Sequence, residues 1–84
     1  MAVCRPEARD RVRSAARALR TDERCLGVKV LAPAESERAT WTLEATFDAD
    51  AGGCPPEAQY ELAERDLAVR TRSQGLYWVV LASA

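Results

Sequence analysis

The chain contains no histidine. Histidine is the side chain whose ordinary pKa suits proton transfer near neutral pH. Ser14, Ser36, Ser73 and Ser83 therefore have no imidazole to activate them, and no nucleophile elbow is present. Cysteine is scarce as well: Cys4, Cys25 and Cys54 form an odd, widely spaced set with no C-x-x-C pair. A zinc site built on them would need a carboxylate, a water or a second chain as its fourth ligand. The expectation is three reduced, unpaired thiols, with Cys25 half-buried beside a strand. No Gly-rich phosphate loop occurs, and no apolar run nears the roughly 20 residues that span a bilayer. Asp48 and Asp50 share a glycine-bearing loop, but calcium loops carry a denser ligand pattern. These absences predict a protein that is not an enzyme and uses no metal and no cofactor. Met1 to Glu7 carry no apolar signal core, so the expected location is the cytoplasm, with no membrane partner.

Charge of one sign is also lacking, since the net charge is -1 and no overall field draws the chain to nucleic acid or anionic lipid. The average hides a split. Residues 1–25 hold seven arginines against four carboxylates, and residues 26–84 hold five cations against nine carboxylates. Eleven of the twelve cations are arginine and alanine is frequent, as in a GC-rich coding sequence, which weakens the arginine excess as a sign of recognition. With 48% hydrophobic and 30% charged residues the chain belongs to the folded class, and its 84 residues suffice for one small domain spanning 1–84. A core of this size is modest, so stability is marginal or shared with a partner chain.

What is present reads as two helices and four strands. Pro6 suits a first helical turn, and Val12, Ala15, Ala16 and Leu19 recur at helical spacing up to about Arg20. Arg5, Arg9, Arg13, Arg17 and Arg20 run down one side of that helix as a basic stripe, a solvated face or a contact for phosphate. Leu26, Val28 and Val30 alternate as a first strand ending at Leu31 or Ala32, and Pro33–Glu37 is a polar turn. Thr40 to Phe47 alternates cleanly, with Trp41, Leu43, Ala45 and Phe47 inward and Thr40, Thr42, Glu44 and Thr46 outward. These two strands predict an antiparallel hairpin. After a loop over 48–53, Pro55-Pro56-Glu57 opens a second helix running to about Arg65. Its inner face is Ala58, Leu62 and Ala63, Tyr60 flanks it, and Glu57, Glu61 and Glu64 make its outer side acidic. Glu61 is placed to pair with Arg65 four residues on. Leu67, Val69 and Thr71 mark a third strand with Arg70 and Arg72 on its opposite side, and Ser73-Gln74-Gly75 reads as the turn.

The fourth strand, Leu76-Tyr77-Trp78-Val79-Val80-Leu81, is the most hydrophobic stretch and is apolar on both faces. The order αββαββ predicts an α+β two-layer sandwich, a four-stranded, mainly antiparallel sheet with two helices on one face. It is a circular permutation of the ferredoxin-like order, and each half is a helix followed by a hairpin. Two alanine-rich helices cover one flank of the last strand. The other flank lies on the open face unless the loop around 48–56 or a second copy covers it. The expected interface is therefore Leu76, Trp78 and Val80, with Tyr77 and Val79 as the alternate set and Trp41 as inner anchor. This reading makes the protein a non-enzymatic interaction module, a homodimer through its open sheet face. The alternative is nucleic-acid binding through Arg9, Arg13 and Arg17.

The stretch Cys54-Pro55-Pro56, Leu62 to Arg70, Ser73-Gln74-Gly75 and Trp78, with the flavour of Trp41-Thr42-Leu43-Glu44-Ala45, resembles small uncharacterised proteins of halophilic archaea. The likeness covers about half the chain. It implies a cytoplasmic protein and carries over no functional residue. One departure is the net charge of -1, where halophilic proteins carry a large acidic excess.

Overall fold

The computed structural model describes residues 7–84, apart from the side chain of Ala51; Cys4, Arg5 and Pro6 lie outside the described residues. Helix α1 is Ala8–Leu19, and its buried residues are Val12, Ala15, Ala16 and Leu19, the stripe that helical spacing predicts. Asp10 in the first turn and Arg17 in the last suit the helix dipole. Strands β1 (Cys25–Leu31) and β2 (Thr42–Asp48) form the expected hairpin. A single 3-10 turn, Ala49–Ala51, leads to helix α2 (Pro56–Glu64), and β3 (Ala68–Gln74) and β4 (Tyr77–Ser83) close the chain.

The sheet order is β1-β2-β4-β3, and every pairing is antiparallel. The second strands of the two hairpins thus meet at the centre, and β1 and β3 are the edges. Both helices pack on one face, so the fold is the α+β sandwich in αββαββ order. One core joins Val12, Ala15, Ala16 and Leu19 of α1 to Ala58 and Leu62 of α2 and to Leu43, Ala45, Phe47, Val80 and Ala82 of the sheet. Trp41, placed inward by its alternation, is partly buried against this core, just before β2 begins.

The alternation of β2 decides which way β4 faces. Leu43, Ala45 and Phe47 are fully buried under the helices. Directly paired residues share a face, and these three pair with Ala82, Val80 and Trp78. Trp78 and Val80 therefore do not stand on the open face, where the expected interface placed them. Val80 is fully buried in the core, and Trp78 packs partly buried against it. The open flank of β4 is the alternate set, Tyr77 and Val79, continued by Leu81 and Ser83.

The cause is one residue of turn. A three-residue turn at Ser73–Gly75 would pair Arg72 with Leu76 and put Trp78 and Val80 on the arginine side. Instead β3 runs on to Gln74, which pairs with Tyr77 across a two-residue turn of Gly75 and Leu76. Gly75 has φ +63 and Leu76 does not have a positive φ, the arrangement of a II′ turn, which wants glycine first. A register shift of one flips every side chain of a strand.

Helix α2 ends in a Schellman motif. Leu67 N–H donates to the Leu62 carbonyl at 3.2 Å and Asp66 N–H to the Ala63 carbonyl at 3.0 Å. Asp66 takes the left-handed position, φ +56, that glycine usually fills. Arg11 of α1 reinforces this end, its Nη1 donating to the Arg65 and Asp66 carbonyls at 3.2 and 3.0 Å. Its Nε is buried without a partner among the described residues. Arg65 ties back, Nε to Ser14 Oγ at 2.9 Å and Nη1 to the Glu61 carboxylate at 2.7 Å, the i,i+4 pair read from the sequence.

Candidate contact surfaces

Antiparallel pairing lays out the open face in rows across β1, β2, β4 and β3. One row is Gly27, Thr46, Val79 and Arg72; the next is Lys29, Glu44, Leu81 and Arg70. A third is Leu31, Thr42, Ser83 and Ala68, and Asp48, Tyr77 and Gln74 lie at the far end. The face carries an apolar line on β4 between a lysine edge and an arginine edge, with carboxylates on β2.

The two ends of this face differ. At the Thr42 end the β1–β2 loop folds over it. Ser36 Oγ lies 2.8 Å from Thr42 Oγ1, which lies 3.3 Å from Ser83 Oγ and donates to the Thr40 carbonyl. This satisfied cluster buries Thr42 and Ser83, two polar residues of an otherwise open face. The cover is thus the 32–41 loop and not the 48–56 loop. At the other end, Leu76 in the turn is 75% exposed, Tyr77 46%, and Leu26, in the register shift of β1, 54%. The Leu76 carbonyl accepts from Ala49 N–H at 3.0 Å, which fixes the turn against the 3-10 segment. Val79, between them, is already buried by its neighbours. The remaining apolar surface is therefore concentrated at one end of the sheet.

The basic stripe divides. Arg9 lies 3.8 Å from the Asp10 carboxylate. Arg13 and Arg17 are exposed and have no ion pair among the described residues. With Arg20, Lys29, Val28 and Val30 they line an open groove of about 370 Å³ between α1 and edge strand β1. Arg20 Nη2 approaches the Val28 carbonyl at 3.4 Å. Arg11, outside the stripe, turns inward to cap α2.

A second cleft follows the opposite edge. Cys54, Pro56, Gln59, Tyr60, Ala63, Leu67, Val69 and Thr71 line about 650 Å³ between α2 and β3. Tyr60 is 62% and Val69 38% exposed, and the Tyr60 hydroxyl donates to Glu64 at 2.9 Å, laying the ring along the helix. This bond to the Glu64 carboxylate also raises the Tyr60 pKa, because the carboxylate holds the phenol proton. Cys54 lies buried at the cleft's base, and burial pushes its thiol up to about 11; burial raises Cys25 as well. Both thiols are unpaired. Sequence reasoning placed Tyr60 only at a helix flank, and the exposure of Val69 beside it required the strand order.

Among the described residues no group of His, Cys, Asp and Glu is arranged to hold a metal ion, and no helix is long and apolar enough to cross a membrane. Compared with known proteins, the chain matches no family model, and no curated protein or solved structure matches it significantly.

Proposed function

We propose that this protein is a non-enzymatic, cytoplasmic contact module that pairs with a second copy of itself through the open face of its sheet. One observation carries the reading: Tyr77 and Leu76, two of the five large apolar residues left exposed among the described residues, stand at the end of the sheet away from the Ser36 loop, and exposed Leu26 lies at the same end on edge strand β1. Beyond the buried Val79, half-buried Leu81 adds apolar surface nearer the middle of the same face. Lys29, Arg70 and Arg72 share the face with Glu44 and Asp48, and neither sign dominates enough to repel an identical face. The interface residues of this reading are Leu76, Tyr77 and Leu81; Val79, Trp78 and Val80 support them from beneath. Sedimentation equilibrium from micromolar to millimolar concentration tests it. The unaltered chain should associate, and Leu76→Asp with Tyr77→Asp should remain monomeric while keeping its circular dichroism. A strict monomer at about 1 mM, well above typical homodimer dissociation constants, removes the proposal.

A second reading rests on the groove of Arg13, Arg17, Arg20 and Lys29, whose charges face solvent together. It assigns the groove to a nucleic-acid backbone. Binding would be strongest at low salt and weaken steeply as salt rises. Absence of binding to nonspecific DNA at low salt, or an affinity unchanged by Arg13→Ala with Arg17→Ala, eliminates it.

A further inference from the structure

The two edges of the sheet are protected unequally. Edge β1 has an irregular register between Cys25 and Gly27, a lysine at 29, and the Arg20 guanidinium over its Val28 carbonyl. Register breaks and inserted cations are the usual means of blocking strand addition. Edge β3 also carries cations, Arg70 and Arg72, but it has no register break and, among the described residues, no guanidinium bonded to its carbonyls. It pairs with β4 in unbroken register from Ala68 to Gln74, contains no proline, and all seven of its residues are exposed. It borders the α2–β3 cleft on its helix side and carries Arg70 and Arg72 on its open side. Neither arginine has an ion pair among the described residues.

We propose that edge β3 is a strand-addition site for an extended segment of a partner protein in which carboxylate and apolar side chains alternate. Backbone hydrogen bonds to the free edge supply the attachment. Alternate side chains of an added strand point to opposite faces. One set enters the cleft against Tyr60, Leu67 and Val69, and the other meets Arg70 and Arg72 across the strand gap. The segment must therefore be apolar on one face and acidic on the other. A second copy is a poor occupant. Two-fold antiparallel pairing of β3 with itself, centred on Arg70, Thr71 or Arg72, sets arginine directly opposite arginine, and like charges so placed are destabilising. This site shares Arg70 and Arg72 with the open face, so it is tested in the Leu76→Asp, Tyr77→Asp variant, which does not pair through that face, as well as in the unaltered chain.

The test uses the full chain and a synthetic eight-residue peptide alternating valine with glutamate. Binding is followed by isothermal calorimetry, and its location by amide hydrogen exchange. The peptide should bind and slow exchange in β3, leaving β1 unchanged. Arg70→Glu with Arg72→Glu should weaken it by roughly tenfold or more, as loss of close charge pairs does. The same peptide N-methylated at alternate residues, which cannot complete the backbone ladder, should fail against the unaltered protein. The proposal is overturned if a valine–lysine peptide or the N-methylated peptide binds equally well. It is also overturned if polyglutamate without valine matches the probe, if no binding occurs at millimolar peptide, or if β3 amides of the Leu76→Asp, Tyr77→Asp variant become protected by raising the protein concentration alone, which would make a second copy the occupant.

Discussion

At the scale of single residues, β2 and β4 give neighbouring side chains opposite duties. Phe47 is the largest of the fully buried side chains, and Tyr77, one strand away, is nearly half exposed. Phe47→Ala should cost about 3–5 kcal/mol, the lost transfer energy plus an unfilled cavity. Tyr77→Ala, a surface change away from caps and buried networks, should cost about 0.5 kcal/mol. Urea denaturation of the two variants checks both values, and equal costs would mean that β4 is turned the other way. Asp66 stores backbone strain in its left-handed conformation. Asp66→Gly and Asp66→Ala both delete its carboxylate, so their difference isolates the backbone. Glycine should be more stable than alanine there by about 1–2 kcal/mol.

At the scale of elements, the helices are held to the sheet by apolar contact and to each other by arginines. Arg24, in the turn after α1, bonds the Asp22 carboxylate at 3.2 Å and the Glu57 carboxylate at the start of α2 at 2.9 Å. These bonds hold Asp22 and Glu57 below their usual carboxylate range and push Arg24 up. A carboxylate whose pKa is lower folded than unfolded stabilises the fold at pH above its unfolded value and loses that contribution as pH falls through the folded one. The melting temperature should therefore decline as pH drops below about 4, the ordinary carboxylate range. Asp22→Asn should flatten part of that decline, as thermal melts between pH 2 and 6 would read out. No flattening would mean that the Asp22–Arg24 pair contributes nothing in solution.

At the scale of the whole molecule, the surfaces are segregated. The groove beside β1 is basic, the outer side of α2 carries carboxylates, and apolar surface survives at one sheet end and beside β3. Association through the sheet face links stability to concentration, because only the folded chain pairs. The melting temperature of the unaltered chain should rise with protein concentration. That of the Leu76→Asp, Tyr77→Asp variant should stay constant. A concentration-independent melting temperature in the unaltered chain would show that its core is stable alone.

Local periodicity is enough to specify part of this fold. Val12, Ala15, Ala16 and Leu19 announce α1 because an alanine-rich stripe at helical spacing has one economical place to go. The alternation of Leu43, Ala45 and Phe47 announces the buried face of β2, and the Glu61–Arg65 pair follows from its spacing. The facing of β4 was hidden because it is apolar on both sides, so its pattern favours neither. Tertiary structure decided it through the two-residue turn at Gly75–Leu76 and the register with β2. The same holds for the loop that folds onto Thr42, for the inward turn of Arg11 and for the open edge at β3. Each depends on which distant segments become neighbours, and pairing between remote strands leaves no trace in the period of either one.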